Sequence, residues 1–176
     1  MIEPALYALD DNSAFYRTPE GLDTVVFVHG LRGHHRKTWG QFPSLLDGDP
    51  DLPPLDLLLW GYRTSFVRNV LDPETLGRNL MAALHMHTAA DSALHLVGHS
   101  LGGIAVLHGL IAEMIAQRAQ THPVRSVMFI SLYAAPVSGS MAAAMVTQTI
   151  GRTLMVRRLI NRQLRGLARG RGVDDL

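Results

Sequence analysis

The stretch LHLVGHSLGGIAVLHGL, residues 94–110, decides how this chain folds. Leu94 to Val97 is a short apolar run of the kind that forms a buried strand, and from Leu101 the apolar residues recur at helical spacing. Between the two stands Gly98-His99-Ser100-Leu101-Gly102, a G-x-S-x-G element at a strand-to-helix junction. A turn of that kind is sharp and strained and lifts the serine above the sheet, while side chains at Gly98 and Gly102 would collide with neighbouring backbone. Gly103 leaves further room for close helix packing. Ser100 is therefore the candidate nucleophile.

The rest of the chain repeats the same rhythm of short apolar runs and longer helical patterns, with turn chemistry at each junction. TVVFVHG (24–30) is continuous and β-branched, as a parallel strand buried on both faces should be. PPLDLLLWGY supplies a strand around Leu55 to Trp60, and Asp72-Pro73 starts a helix on which Leu76, Leu80, Ala83 and Leu84 share a face. After the strand ALHLVGHS, a second helix is expected to bury Ile104, Leu107, His108, Ile111 and Ile115 as one stripe. Pro123 closes the following loop, VRSVMFISLY is a fourth strand, and no strand-like run comes after it.

His29 and Gly30 end a strand that precedes the serine's own. Two backbone N–H groups are needed to hold a tetrahedral oxyanion, one from Leu101 after the serine and one from Leu31 in the earlier loop. The N-terminus of the helix beginning at Leu101 adds positive potential there. His29 reads as a loop-ordering residue.

Composition narrows the function. The 176 residues carry a formal net charge of +1 and no cysteine, so nothing global points to nucleic acid, and disulfides, Cys-ligated metals and a Cys nucleophile are excluded. The nine histidines show no HExxH or other paired ligand spacing, and GHSLGG lacks the Lys-Ser/Thr of a phosphate-binding P-loop. Neither a metal nor a cofactor is expected. With no signal-like N-terminus and no run of about 18 apolar residues, a soluble, cytoplasmic protein is expected. The expected organisation is one domain over 1–176, with 1–22 as a lead-in and 141–176 as a basic amphipathic helical segment.

The motifs together resemble an α/β-hydrolase of the branch containing GPI inositol-deacylases and serine active site-containing lipid-remodelling proteins. VVFVHGLRGHHRKTW is similar to that branch's opening strand and loop, with His29, Gly30, Gly33, His34 and Thr38-Trp39 in place; LLLWGY resembles the next strand and LVGHSLGG the serine turn. Near AAPVSGS the likeness weakens, with Pro136, Gly139 and Ser140 kept but Val137 where the branch has His. The resemblance implies a three-layer α/β fold with a mostly parallel sheet, hydrolysis of an ester or lipid-like small molecule, and no cofactor.

It also implies an acid and then a histidine after the serine. Glu113 and Asp174 enclose a stretch free of carboxylates, and no histidine follows His122. The C-terminal third of the fold is accordingly expected to be missing and the sheet incomplete on that side. His34 and His35, in the loop that would hold the oxyanion, are the candidates for a substitute base; His99 is adjacent to Ser100, but neighbouring side chains at a tight turn diverge. A non-catalytic or truncated hydrolase-like module that binds a lipid or protein partner, or one half of a split enzyme, stands as the alternative.

In the last segment Val156, Leu159, Ile160, Leu164 and Leu167 mark one helical face and Arg158, Arg162, Arg165 and Arg169 another. The apolar face is expected to pack on the core or cap the pocket, with peripheral membrane contact through Arg152–Arg171 as the competing reading. An open sheet edge beside that face is a route to a homo-oligomer.

Overall fold

In a computed structural model of the chain, described over residues 5–10, 12–18, 21, 23–63, 72–118 and 120–135, the apolar runs pair into one six-stranded sheet. The strands are β1 (Ala5–Asp10), β2 (Ser13–Arg17), β3 (Asp23–Val28), β4 (Leu55–Trp60), β5 (Ala93–His99) and β6 (Val127–Tyr133). The helices are α1 (Phe42–Asp47), α2 (Pro73–His87) and α3 (Leu101–Ile115). Across the sheet the order is β1-β2-β4-β3-β5-β6. β4, β3, β5 and β6 are parallel, and β1 and β2 add antiparallel at one side. The α/β fold with a mostly parallel sheet expected from the sequence is the fold the chain adopts.

Both faces of the parallel strands are covered. On one, Val26, Val28, Leu58 and Leu96 pack against Leu76, Leu80 and Leu84 of α2 and Leu101 and Ala105 of α3. On the other, Val25, Phe27, Leu57 and Val97 meet Trp39, Phe42 and Leu46, with the Phe27 ring 5.0 Å from Trp39 and 5.5 Å from Phe42. Continuous apolar strands are the expected consequence of burial on two sides. The helix start at Asp72 is capped, its carboxylate accepting the Thr75 N–H at 2.9 Å.

Three features depart from the sequence reading. The lead-in contains two strands: β2 pairs antiparallel with β4, Ala14 opposite Leu59, and β1 pairs with β2. α1 had no periodicity from which to be read, being six residues long. The covered stripe of α3 is also rotated: Leu101, Ile104, Ala105, Val106, Gly109 and Leu110 are buried, whereas Leu107, His108 and Ile111 are half-buried and Ile115 is exposed. Glycines cause the rotation. A Cβ on Gly77 of α2 would lie 2.7 Å from the Ala105 carbonyl oxygen and meet the Gly109 amide, so the helices touch backbone to backbone along the face that carries Ala105 and Gly109.

Among the described residues β6 is the outermost strand on its side of the sheet, and its Met128 and Phe129 are exposed. Residues 136–176, including the AAPVSGS tail from Pro136, the amphipathic segment Arg152–Arg171, and Asp174 and Asp175, lie outside the described residues. Among the described residues no helix is long and apolar enough to cross a membrane.

Candidate active site

Ser100 stands at the C-terminal tip of β5 and at the first turn of α3, with φ 52° and ψ −123°. For a residue with a Cβ this conformation costs about 1–3 kcal/mol and persists only where the surroundings impose it. Here they do. The Ser100 N–H donates to the Tyr133 carbonyl at the end of β6 (2.8 Å), while its own carbonyl accepts the Gly103 N–H (3.0 Å) and so opens the helix. A Cβ on Gly98 would sit 2.6 Å from the Gly103 Cα, and one on Gly102 would overlap the Val28 carbonyl oxygen. The glycines of the motif are thus required by backbone approaches on both sides of the turn. The Ser100 side chain makes no capping bond to the helix below it.

The loop after β3 lies directly against this turn. A Cβ on Gly30 would be 2.8 Å from the Ser100 Cβ and 2.9 Å from the His99 carbonyl oxygen. Leu31 follows Gly30 and is half-buried against the core, and the Gly33 N–H closes a turn onto the Gly30 carbonyl at 2.9 Å. Among the described residues, neither the Leu31 nor the Leu101 N–H donates to another backbone carbonyl. Gly30, Leu31, Ser100 and Leu101 are therefore brought together at one end of the sheet.

His29 supports the loop from below. Its ring is buried, stacked on Tyr62 with centroids 4.6 Å apart. Nδ1 is 2.8 Å from the Gly30 carbonyl oxygen, and Nε2 accepts the Tyr62 N–H at 3.3 Å. This pattern assigns the proton to Nδ1 in a neutral ring. Burial lowers its pKa, in part opposed by the bond to Gly30, and the imidazoles of His34 and His99 lower it further. The Tyr62 hydroxyl donates to the His29 carbonyl at 2.8 Å, and burial pushes that phenol well above its ordinary range.

The remaining histidines are spread apart. His34 is exposed, and its Nδ1 accepts the Arg36 N–H at 3.1 Å, with the Lys37 N–H at 3.5 Å. It stacks on His35 at 4.3 Å. His35 lies over the end of β4, its Cβ 3.1 Å from where a Gly61 Cβ would be, so that β3 stands between it and the strand of Ser100. His99 points to the α1 side of the sheet, its ring edge-on to Trp39 at 6.4 Å. Its Nδ1 is buried, as is the Trp39 Nε1, and neither has a hydrogen-bond partner among the described residues. His108 is half-buried on α3 with Nε2 likewise unpartnered among them, and burial lowers its pKa. No group of three His, Asp or Glu side chains among the described residues is placed to hold a metal ion.

Sequence reasoning did not find Tyr62 or the Tyr133 carbonyl. Tyr62 carried the weak signal of a tyrosine directly after a buried strand. The Tyr133 carbonyl had none, because any residue type would supply it.

Comparison with known proteins agrees with this architecture. Residues 25–175 match the model of the alpha/beta hydrolase family. Among solved structures, the chain is similar to alpha/beta hydrolase domain-containing protein 10 from mouse, at 16% identity and TM-score 0.50, covering 89% of this chain and 62% of that one. It is also similar to an inhibited esterase B from Lactobacillus rhamnosis, at 14% identity and TM-score 0.53, covering 91% and 57%. The chain thus spans about three-fifths of the length of these structures, and at such identities the likeness is one of fold. No curated protein matches the sequence. From the family match over residues 25–175 and the parallel sheet beneath the serine turn, the chain belongs to the alpha/beta hydrolase family.

Proposed function

We propose that the protein is a serine ester hydrolase acting by acyl transfer on an ester or lipid-like small molecule, in the manner of the GPI inositol-deacylase and serine active site-containing branch that its motifs resemble. One observation carries the reading: Ser100 is held at φ 52° with Gly30 packed against it. A strained serine beside the Leu31 and Leu101 N–H groups, neither of which donates to a backbone carbonyl among the described residues, is an arrangement that acyl transfer uses and that packing alone does not need.

In this mechanism the Ser100 Oγ attacks the ester carbonyl while its proton passes to a base. The Leu31 and Leu101 N–H groups donate to the resulting oxyanion, aided by the positive end of α3. Collapse expels the alcohol, which takes back the proton, and water then cleaves the acyl-enzyme by the same route. His34 is poorly suited to be the base. With Nδ1 accepting backbone N–H groups, the neutral ring carries its proton on Nε2 and has no lone pair left to receive another. His35 lies over the end of β4, two strands from Ser100, so the base is assigned to neither loop histidine.

The second reading is a non-catalytic module of the same fold that binds an ester or lipid without cleaving it. It is favoured by the placement of the loop histidines: the His34 Nδ1 is taken up by backbone N–H groups, and His35 lies over the end of β4, two strands from Ser100. Hydrolysis of 4-nitrophenyl butyrate separates the two. The enzyme reading expects release of nitrophenol that Ser100→Ala reduces at least about 100-fold; equal release by both chains would remove Ser100 as nucleophile.

A further inference from the structure

The loop that packs against Ser100 is also the most basic part of the described surface. From Thr24 to Leu46 the sequence has no Asp or Glu, yet it places Arg32, Arg36 and Lys37 within six residues, interleaved with His34 and His35. In a chain of net charge +1 this is a local concentration, and its position is fixed. The Gly33 N–H bonds the Gly30 carbonyl, the His34 N–H bonds the Thr38 Oγ1 at 2.9 Å, and the His34 ring accepts the Arg36 N–H. The loop is tied to itself and, through Gly30, to the serine turn.

Arg63 extends the basic rim. It is exposed one residue beyond Tyr62, whose N–H meets His29, so it stands at the end of β4 beside the end of β3. Strands lie about 4.8 Å apart, so the end of β4 stands about 10 Å across the sheet from the end of β5.

Elsewhere in the described structure Arg17 pairs with Asp56, Arg78 with Glu74 and Arg118 with Glu113, and Arg125, which precedes β6 at the opposite end of the sheet, is a single exposed cation. Among the described residues, Arg36, Lys37 and Arg63 have no carboxylate within ion-pair distance. Asp72 and Glu74, at the start of α2, are engaged by Thr75 and Arg78, and Asp10 stands in the β1–β2 turn opposite Ser13, whose Oγ accepts the Gly61 N–H at the end of β4.

We infer that the site takes an ester bearing an anionic group, a phosphate or a carboxylate, which Arg36, Lys37 and Arg63 hold on the β4 side of Ser100. This rests on the ester-hydrolase reading for the scissile bond, but the anion preference is independent of the chemistry. Opposite charge at this range concentrates and orients an anionic ligand, and the effect weakens with salt.

The experiment is an amide NMR titration of the Ser100→Ala chain with hexylphosphonate, hexanoate and hexanol. The inference expects the two anions, and not hexanol at equal concentration, to shift the amides of residues 30–37. It expects binding to weaken about 10-fold in the added Arg36→Gln/Lys37→Gln variant and again in 0.5 M salt. Shifts from hexylphosphonate alone would assign the anion to phosphate, and shifts from both would extend it to carboxylate. An amide spectrum of the variant that retains the native dispersion shows that it folds; if it does not, Arg63→Gln and the salt series carry the same test. Equal shifts from hexanol, or anion binding indifferent to both variant and salt, would overturn the inference. Anion binding without any acylation of the native Ser100 would leave this inference standing and remove the ester-hydrolase reading. Acylation without anion binding would do the reverse.

Discussion

Gly30 and Ser100 come so close that a Cβ on the glycine would lie 2.8 Å from the Cβ of the serine. The two residues follow different strands, β3 and β5, which are adjacent and parallel with Val28 opposite Gly98. The contact is what turns two separate sequence motifs into one site, because it sets the Leu31 N–H beside the serine turn. Gly30→Ala is expected to push the loop away and to slow acylation of Ser100 about 100-fold, the scale of losing one oxyanion donor. Labelling rates with a fluorophosphonate would read this; a rate within a factor of two of native would mean that the loop is not part of the site.

The buried imidazole of His29 makes stability depend on pH. Its pKa is lowered in the folded protein, chiefly by burial, from the ordinary value of 6.5, and that of His108 is lowered by the same cause. The unfolded chain therefore binds more protons once pH falls below about 6.5, and folding loses stability from there downward. Above that value the contribution is complete. Thermal unfolding should show a midpoint that is flat from pH 8 to 7 and drops as pH goes from 6.5 to 5, less steeply in His29→Gln. A midpoint that rises on acidification would contradict the assignment of a neutral His29.

The contact of α2 with α3 is closed by glycine, with the Gly77 Cα facing the Ala105 carbonyl and the Gly109 amide. Those neighbours are backbone and cannot rotate aside. Gly77→Ala is expected to destabilise the fold by about 1–3 kcal/mol through overpacking, despite alanine's better helix propensity. Urea unfolding would measure it, and a stabilised variant would show that the helices can separate freely.

Asp56 of β4 is buried and accepts the Thr18 N–H at 2.8 Å, with Arg17 at 3.6 Å. Asp56→Ala leaves that N–H without its acceptor, at a cost of about 1–3 kcal/mol. The same urea experiment applies, and an unchanged midpoint would place water on the Thr18 amide in the native state.

How far these features could be read in advance follows from whether their causes are local. β3, β4, β5 and β6 were legible because burial on two faces writes itself as uninterrupted Val, Leu and Phe, and the start of α2 was legible in Asp72-Pro73. β1 and β2 were not, since ALYALD and SAFYR are short and carry no β-branched residue, and β4, on which β2 docks, is distant in sequence. The phase of α3 was misread because Gly77, on another helix, decides which of its faces is covered. At the site, Ser100 and its glycines were legible as a spaced motif. The stacking of Tyr62 under His29, the Tyr133 carbonyl on the Ser100 N–H and the tautomer imposed on His34 were not, because each arises from residues that only folding brings together.

The central claim is that Ser100 is an activated nucleophile. Intact mass after incubation with a fluorophosphonate, for the native chain and for Ser100→Ala, tests it most directly. The account predicts a gain of one phosphonyl group on the native chain and none on the variant. Equal labelling of both, or no labelling of the native chain, would contradict it.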